Sequence, residues 1–105
     1  MTGKFSNQGT LSTSGTILHT APDNNMSEVR SLRFNNPLAY TLTLVKYPSA
    51  TQIYSLTLSG GDTLSDDALY HLDENEYLEA TSSISGTTFI AEGQDMPNIN
   101  VVRCR

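Results

Sequence analysis

The 105-residue chain has few of the side chains on which chemistry and scaffolding in small proteins depend: one cysteine, two histidines and no tryptophan. The single cysteine, Cys104, excludes an internal disulfide, so we expect the chain to fold under reducing conditions. The N-terminus lacks the apolar region of a secretory signal. No apolar run approaches the roughly 20 residues of a membrane span, so the sequence predicts no membrane partner.

Charge is also scarce and is mainly of one sign. Charged residues make up 16% of the chain and hydrophobic residues 37%, against about 25% and about 45–50% in typical domains. The formal net charge is −5, and the six lysines and arginines are spread along the chain. Because nucleic-acid binders neutralise phosphates with basic side chains, we expect no nucleic-acid partner. Thr, Ser, Asn and Gly fill the deficit, and this mixture favours strands and turns.

Acidic side chains concentrate in residues 62–79, a segment without lysine or arginine. One interpretation is a docking face for a basic partner. The other is a solvated surface that keeps the protein soluble. The acidic residues of the segment are Asp62, Asp66, Asp67, Asp73, Glu74, Glu76 and Glu79.

Alternation with a period of two predicts β-strands along most of the chain. The clearest is residues 38–47, where the side chains of one face are Tyr and Leu. Turn residues at 35–37 and at 83–86 separate neighbouring strands, so we expect a hairpin at each. The other predicted strands are residues 15–20, 28–34, 52–58, 77–82, 87–92 and 99–104.

Residues 62–76 fit two structures. Thr63 to Asp66 has the form of a capping box and Leu69 and Leu72 are helically spaced, which favours a short helix. The alternative is two short strands around a bend.

Short strands separated by turns predict an all-β fold, an antiparallel β-sandwich of the jelly-roll or immunoglobulin-like type with about seven to eight strands. We expect the sandwich domain to span residues 15–93. Residues 1–14 are predicted to be a flexible N-terminal arm or a strand borrowed by a neighbour, and residues 94–105 a C-terminal arm or edge strand.

The candidates for catalysis and metal binding are isolated. His19 and His71 have no recognisable nucleophile motif near them, and Cys104 is a terminal thiol between two arginines. No paired zinc-ligand spacing occurs, and residues 73–76 lack the glycine of a calcium loop. The sequence therefore predicts no catalytic residue, no metal site and no cofactor.

Tyrosine offers one alternative function. Tyr47 lies on the face opposite Tyr40 in its predicted strand, and Tyr70 is a second candidate for exposure. Exposed aromatic rings can stack on sugars, so Tyr47 and Tyr70 are the candidate contacts of a glycan- or receptor-binding module. Half-buried packing at a sheet edge explains them equally well.

The order of the strands and turns carries a resemblance that covers roughly residues 16–92. The matching motifs are Thr20-Ala21-Pro22, Val29-Arg30-Ser31-Leu32 followed by Arg33-Phe34-Asn35-Asn36, Leu42-Thr43-Leu44, the run from Leu56 to Leu64, and Leu72 to Ala80. Together they resemble small β-sandwich structural proteins of tailed bacteriophage virions.

The resemblance implies a sandwich used in capsid decoration, in the collar or neck, or in tail attachment, and it implies no catalytic residues. We therefore expect a non-enzymatic structural protein, made in the host cytoplasm and resident in the virion, that forms homo-oligomers and binds other virion proteins. An extended terminal segment can add to a neighbour's sheet. The candidate assembly contacts are Ile99, Val101, Val102 and Arg103.

Overall fold

The computed structural model describes residues 3–97, in which every regular element is a β-strand and no helix is long and apolar enough to cross a membrane. The predicted all-β class is confirmed. The nine strands are β1 (Gly3–Thr10), β2 (Thr16–Thr20), β3 (Asn25–Asn35), β4 (Tyr40–Tyr47), β5 (Thr51–Leu58), β6 (Thr63–Asp66), β7 (Tyr70–Leu72), β8 (Tyr77–Ser82) and β9 (Thr88–Pro97).

The strands form two antiparallel sheets that pack face to face. Sheet A has the order β1-β9-β3-β6, with β7 also paired to β3, and sheet B has the order β2-β8-β4-β5. Since β6 and β7 pair with successive parts of β3, they act as one interrupted strand. Counted in this way, eight strands form two four-stranded sheets, and the connections cross between the sheets except at the β4–β5 hairpin. This arrangement is a jelly roll, one of the two sandwich types that the sequence predicts.

Alternating side chains of both sheets fill the core. In β4 the residues Tyr40, Leu42 and Leu44 are buried, as the period-two pattern predicts. They meet the inward side chains of β3, among them Leu32 and Phe34. The core therefore lies between the central strands, and the outermost strand pairs β1–β2 and β5–β6/β7 form the two sides of the sandwich.

The two predicted hairpins are wrong, although the turns themselves are present. β3 belongs to sheet A and β4 to sheet B, and the same separation holds for β9 and β8. Buried Asn36 joins the two connections, because its amide nitrogen donates to the carbonyl of Ser85 and to the hydroxyl of Thr87. The two connections thus pack on each other at one end of the sandwich. Local turn chemistry gives the position of a chain reversal but not the sheet that the next strand joins.

The ambiguous segment 62–76 forms the two short strands β6 and β7, as in the second prediction. The described part of the predicted N-terminal arm contains β1, which pairs with β9 along its whole length. Its composition is polar because an edge strand buries little of its surface. β9 continues to Pro97, inside the segment predicted as the C-terminal arm, and residues 98–105 lie outside the described part of the chain.

Candidate functional site

One side of the sandwich, here called the closed side, is sealed by contacts between β1 and β2. The ring of Phe5 stacks on the imidazole of His19 with 3.5 Å between centroids and 3° between planes. Asn7 reaches across from β1 and donates its amide to the carbonyl oxygen of Leu18, at 2.9 Å. Gly93 on β9, the register partner of Phe5, leaves space for the ring. Aromatic and amide contacts thus join the two edge strands.

His19, Ser27 and Asp95 converge behind the Phe5 ring and contain the residue types of a hydrolase triad. His19 Nε2 lies 2.8 Å from Asp95 Oδ1 and 3.2 Å from Ser27 Oγ. Its Nδ1 lies 3.1 Å from the amide nitrogen of Asn7, which can only donate. The imidazole proton therefore sits on Nε2 and points at Asp95.

This proton arrangement is unsuited to nucleophilic catalysis. A nucleophilic serine must donate to an unprotonated ring nitrogen, but the Ser27 hydroxyl donates to Asp95. Ser27 is also fully buried, out of reach of a substrate. The cluster links β2 of sheet B to β3 and β9 of sheet A, so its role in this geometry is to hold the closed side together.

The described residues offer little room for a small ligand elsewhere. Two shallow hollows of about 160 and 230 Å³ lie on the surface, smaller than the roughly 300–1,000 Å³ of ordinary ligand pockets. Within residues 3–97 no three His, Cys, Asp or Glu side chains come together as metal ligands. Every buried side-chain polar atom in that range has a hydrogen-bond partner. The surfaces of the sandwich are therefore the candidate sites of function.

The other side of the sandwich, here called the open side, lies between β5 and the interrupted strand β6–β7. A carboxylate clamp spans it: Asp66 Oδ2 accepts hydrogen bonds from Tyr54 at 2.9 Å and from Tyr70 at 2.6 Å. The second oxygen of Asp66 accepts from the backbone of Ala68. Burial, and then the hydrogen bond and charge of Asp66, raise the pKa of both tyrosines. The two phenols stay protonated and donate to Asp66.

Leucines remain uncovered on this side. Leu56 pairs with Leu42 across β4 and β5 and points the same way, yet Leu42 is fully buried and Leu56 is 41% exposed. Leu69, in the connection between β6 and β7, is 60% exposed. The short strands β6 and β7 cover the inward face of β5 only in part, because Tyr54 and Leu58 are half-buried whereas Leu56 is exposed. Leu56 and Leu69 therefore each expose an apolar side chain on the open side.

Among the strands of residues 3–97, none pairs with the outer edge of β5. Thr41 directs both its amide and its carbonyl to Ser83, beside β8. Backbone groups alternate in direction along a strand. The amide and carbonyl of Leu42 therefore point towards β5, where they exchange hydrogen bonds with Leu56. It follows that Ser55 and Thr57 point their amide and carbonyl groups away from β4, where sheet B ends.

The outer face of sheet B continues this edge with few charges. Thr41 bonds the hydroxyl of Thr57, and Thr43 bonds that of Ser55, each at 3.0 Å. Further along, Tyr47 and Tyr77 are cross-strand partners whose rings stack at 5.2 Å, and both are half-buried. The edge strand and its outer face thus form one surface of hydroxyls and aromatic rings.

The sequence-predicted site residues occupy separate places. Tyr47 lies on the outer face of sheet B, whereas Tyr70 belongs to the Asp66 clamp. The assembly candidates Ile99, Val101, Val102 and Arg103 lie outside the described residues. Sequence reasoning missed the clamp and the exposed Leu56. The uncharged composition of residues 51–58 was the available signal for the free edge.

No family model matches the sequence, and no curated protein matches it either. Solved structures with a similar fold include three chains with 9–13% sequence identity. The first is a protein of Bacillus endospore appendages, described as a family of disulfide-linked pili, with a TM-score of 0.57 over 92% of this chain and 87% of that chain at 9% identity.

The second is a chain of the acid-stable capsid of the Helicobacter pylori bacteriophage KHP30, with a TM-score of 0.57 over 91% of this chain and 93% of that chain at 13% identity. The third is the Drosophila NLP core, studied for pentamer formation and histone binding, with a TM-score of 0.52 over 87% of this chain and 97% of that chain at 10% identity. At these identities the likeness establishes the fold, a β-sandwich shared by chains that build larger assemblies.

Proposed function

We propose that the protein is a non-enzymatic structural subunit of a bacteriophage virion, which associates with copies of itself and docks on the capsid, the neck or the tail. The observation that carries the proposal is the open side, where an uncharged eight-residue edge strand presents free backbone groups beside exposed leucine. Natural proteins usually shield such an edge, because it pairs with other chains. An assembly subunit uses that tendency.

The similar structures support the same function. The KHP30 chain comes from a phage capsid and the Bacillus chain from a pilus, and the similarity covers most of each chain. The geometry of His19, Ser27 and Asp95 supports the non-enzymatic part of the proposal, since Ser27 donates to the carboxylate and is buried.

Quantitative mass spectrometry of purified phage particles from the source tests the proposal. A copy number near that of the major shell protein would identify a decoration protein on the capsid, and a far smaller number a collar, neck or tail component. Absence of the protein from the particle would overturn the proposal.

A glycan-binding module is the second candidate, and the Tyr47–Tyr77 stack on the outer face of sheet B favours it. Paired aromatic rings on a sheet surface form a platform for sugars. This function predicts saturable binding on a glycan array that Tyr47→Ala abolishes, with Tyr70→Phe as the control because it removes only a clamp hydrogen bond and leaves the outer face of sheet B unchanged. A flat array response to the unchanged protein would rule it out.

A further inference from the structure

We propose that the free edge of β5 binds residues 98–105 of a second copy of the chain, which pair with it as an added strand of sheet B. This inference rests on the proposed self-association and names its two contacting parts. The donor is the segment that contains the candidate contacts Ile99, Val101, Val102 and Arg103. The acceptor is the open side described above.

The acceptor has the backbone groups that strand addition requires. Ser55 and Thr57 direct their amides and carbonyls to the outside of sheet B, and β5 ends the sheet. An added strand takes its main-chain hydrogen bonds from such groups, while side chains on alternate faces give specificity. Side chains of the added strand would meet Leu56 on one face of β5. On the other face they would meet the hydroxyls of Ser55 and Thr57.

β5 is the least protected of the edges within residues 3–97. β2 has five residues with a register shift between Ile17 and His19, while β6 and β7 have four and three residues. β1 is as long as β5 but carries Lys4 and two glycines. β5 contains no charge, proline or glycine, and its register shift, between Tyr54 and Gln52, leaves residues 54–58 regular. Charges, bulges and shortness are the usual defences of an edge.

The chemistry of residues 98–105 matches this edge. Ile99 and Val101 alternate with Asn100 and Val102, a period of two that suits an extended strand with an apolar face. The segment ends in Arg103-Cys104-Arg105 and has no acidic residue. The open side supplies the opposite charge.

The carboxylates nearest β6 are available for the arginines. Asp62 precedes β6 and Asp67 follows it, both are exposed, and neither has an ion-pair partner within the described residues. Opposite charges at the rim of an interface fix register and favour one partner over others. Arg103 and Arg105 carry the charge opposite to that of Asp62 and Asp67, which an uncharged segment would lack.

The distance from Pro97 to β5 favours a second copy over the same chain. β9 ends at Pro97 in sheet A, two strands from the open side, and β5 lies in the facing sheet. Strand spacings of about 4.8 Å and a sheet separation of about 10 Å make this path about 20 Å long. At about 3.4 Å per residue the path takes about six residues, so within one chain residues 98–103 would form the connection and could not pair with β5. In a neighbouring copy the same residues can pair with it.

Disulfide trapping in the 105-residue chain tests this pairing, because Cys104 is the only cysteine in its sequence. Ser55→Cys and Leu56→Cys place a second thiol on each face of β5, and Gln8→Cys places one on the free edge of β1 as the matched control. Each protein is oxidised with diamide, which accepts the two thiol hydrogens, and is then mapped by peptide mass spectrometry. Cross-strand partners lie within the reach of a disulfide.

We expect a link between Cys104 and position 55 or 56 in species of dimer mass or larger, at least tenfold above any link to position 8. The same link within a monomer, a link to position 8 alone, or only Cys104–Cys104 links would overturn the pairing. Sedimentation of the unchanged protein separates the two proposals. A monomer at all concentrations contradicts self-association itself, whereas oligomers without the expected link contradict only the β5 edge.

Charge reversal gives an independent measurement. Arg103→Glu combined with Arg105→Glu should raise the dissociation constant of the oligomer at least tenfold. Adding Asp62→Arg and Asp67→Arg to that protein should restore most of the affinity. Unchanged association after the first reversal, or no recovery after the second, would overturn the role of these charges. Circular dichroism of each variant verifies that the sandwich has formed.

Discussion

The two sides of the sandwich close by different means. On the closed side the ring of Phe5 stacks on that of His19, and the side-chain amide of Asn7 forms hydrogen bonds to β2. These contacts join β1 to β2. On the open side two tyrosines reach a single carboxylate, Asp66, and Leu56 stays exposed beside them. One side is thus held by contacts that stabilise the domain, and the other contains the strand edge to which we assign association in our proposal.

Among the substitutions on the closed side, Gly93→Ala should cause the largest loss in the free energy of unfolding. A methyl group at Gly93 would meet the backbone carbonyl of Glu28 and would come within 2.7 Å of the Phe5 ring. Because backbone cannot move without disturbing the β3–β9 ladder, we expect a loss of more than about 3 kcal/mol in the free energy of unfolding. Urea denaturation measures this loss.

Gly3→Ala is the matched control for that substitution. Gly3 also lies on the closed side, in β1, but a methyl group there would have nothing within 4 Å. We expect a change of less than about 0.5 kcal/mol. Equal losses at the two glycines would show that the packing of Phe5 does not hold the closed side.

The clamp on the open side should make a smaller contribution that depends on pH. Tyr54→Phe or Tyr70→Phe removes one hydrogen bond to Asp66, and we expect each to cost about 1 kcal/mol at neutral pH. Tyr47→Phe, which keeps the ring stack with Tyr77, is the control and should cost less than about 0.5 kcal/mol.

The sign of the pH effect follows from the raised pKa of Tyr54 and Tyr70. Folding favours the protonated phenols, so their stabilisation is complete below the ordinary value of 10.0 and is lost as the pH rises above it. The urea midpoint of the unchanged protein should be lower at pH 11 than at pH 8. This fall should be smaller for the double Tyr54→Phe, Tyr70→Phe variant. An equal fall in both proteins would contradict the clamp.

The fold could be predicted from the sequence where a strand has one buried face. Tyr40, Leu42 and Leu44 alternate with polar residues, and this alternation fixes both the strand and its inner face. β1 lacked the signal because Phe5 is the only apolar side chain on its inward face. The connection that contains Asn36 crosses to sheet B, and its buried amide bonds Thr87, which is distant in sequence. Such a pairing has no local signature.

The candidate site could be predicted only in part, for a similar reason. The terminal residues from Ile99 to Arg103 stay a prediction, since they lie outside the described residues. The uncharged character of β5 can be read from its residues. Its exposure cannot, because Leu56 has the same alternation as buried Leu42, and the difference arises from the shortness of β6 and β7 on the facing sheet.

Leu42 and Leu56 therefore provide the finest comparison between core and open side. They are cross-strand partners of identical chemistry, so Leu42→Ala should cost about 3 kcal/mol of unfolding free energy and Leu56→Ala less than about 1 kcal/mol. Urea denaturation gives both values, and sedimentation of the same two proteins gives their association. If the open side is an interface, Leu56→Ala weakens association more than it weakens folding. A loss of stability at Leu56 as large as at Leu42 would place that leucine in the core of the single domain and would contradict its part in an interface.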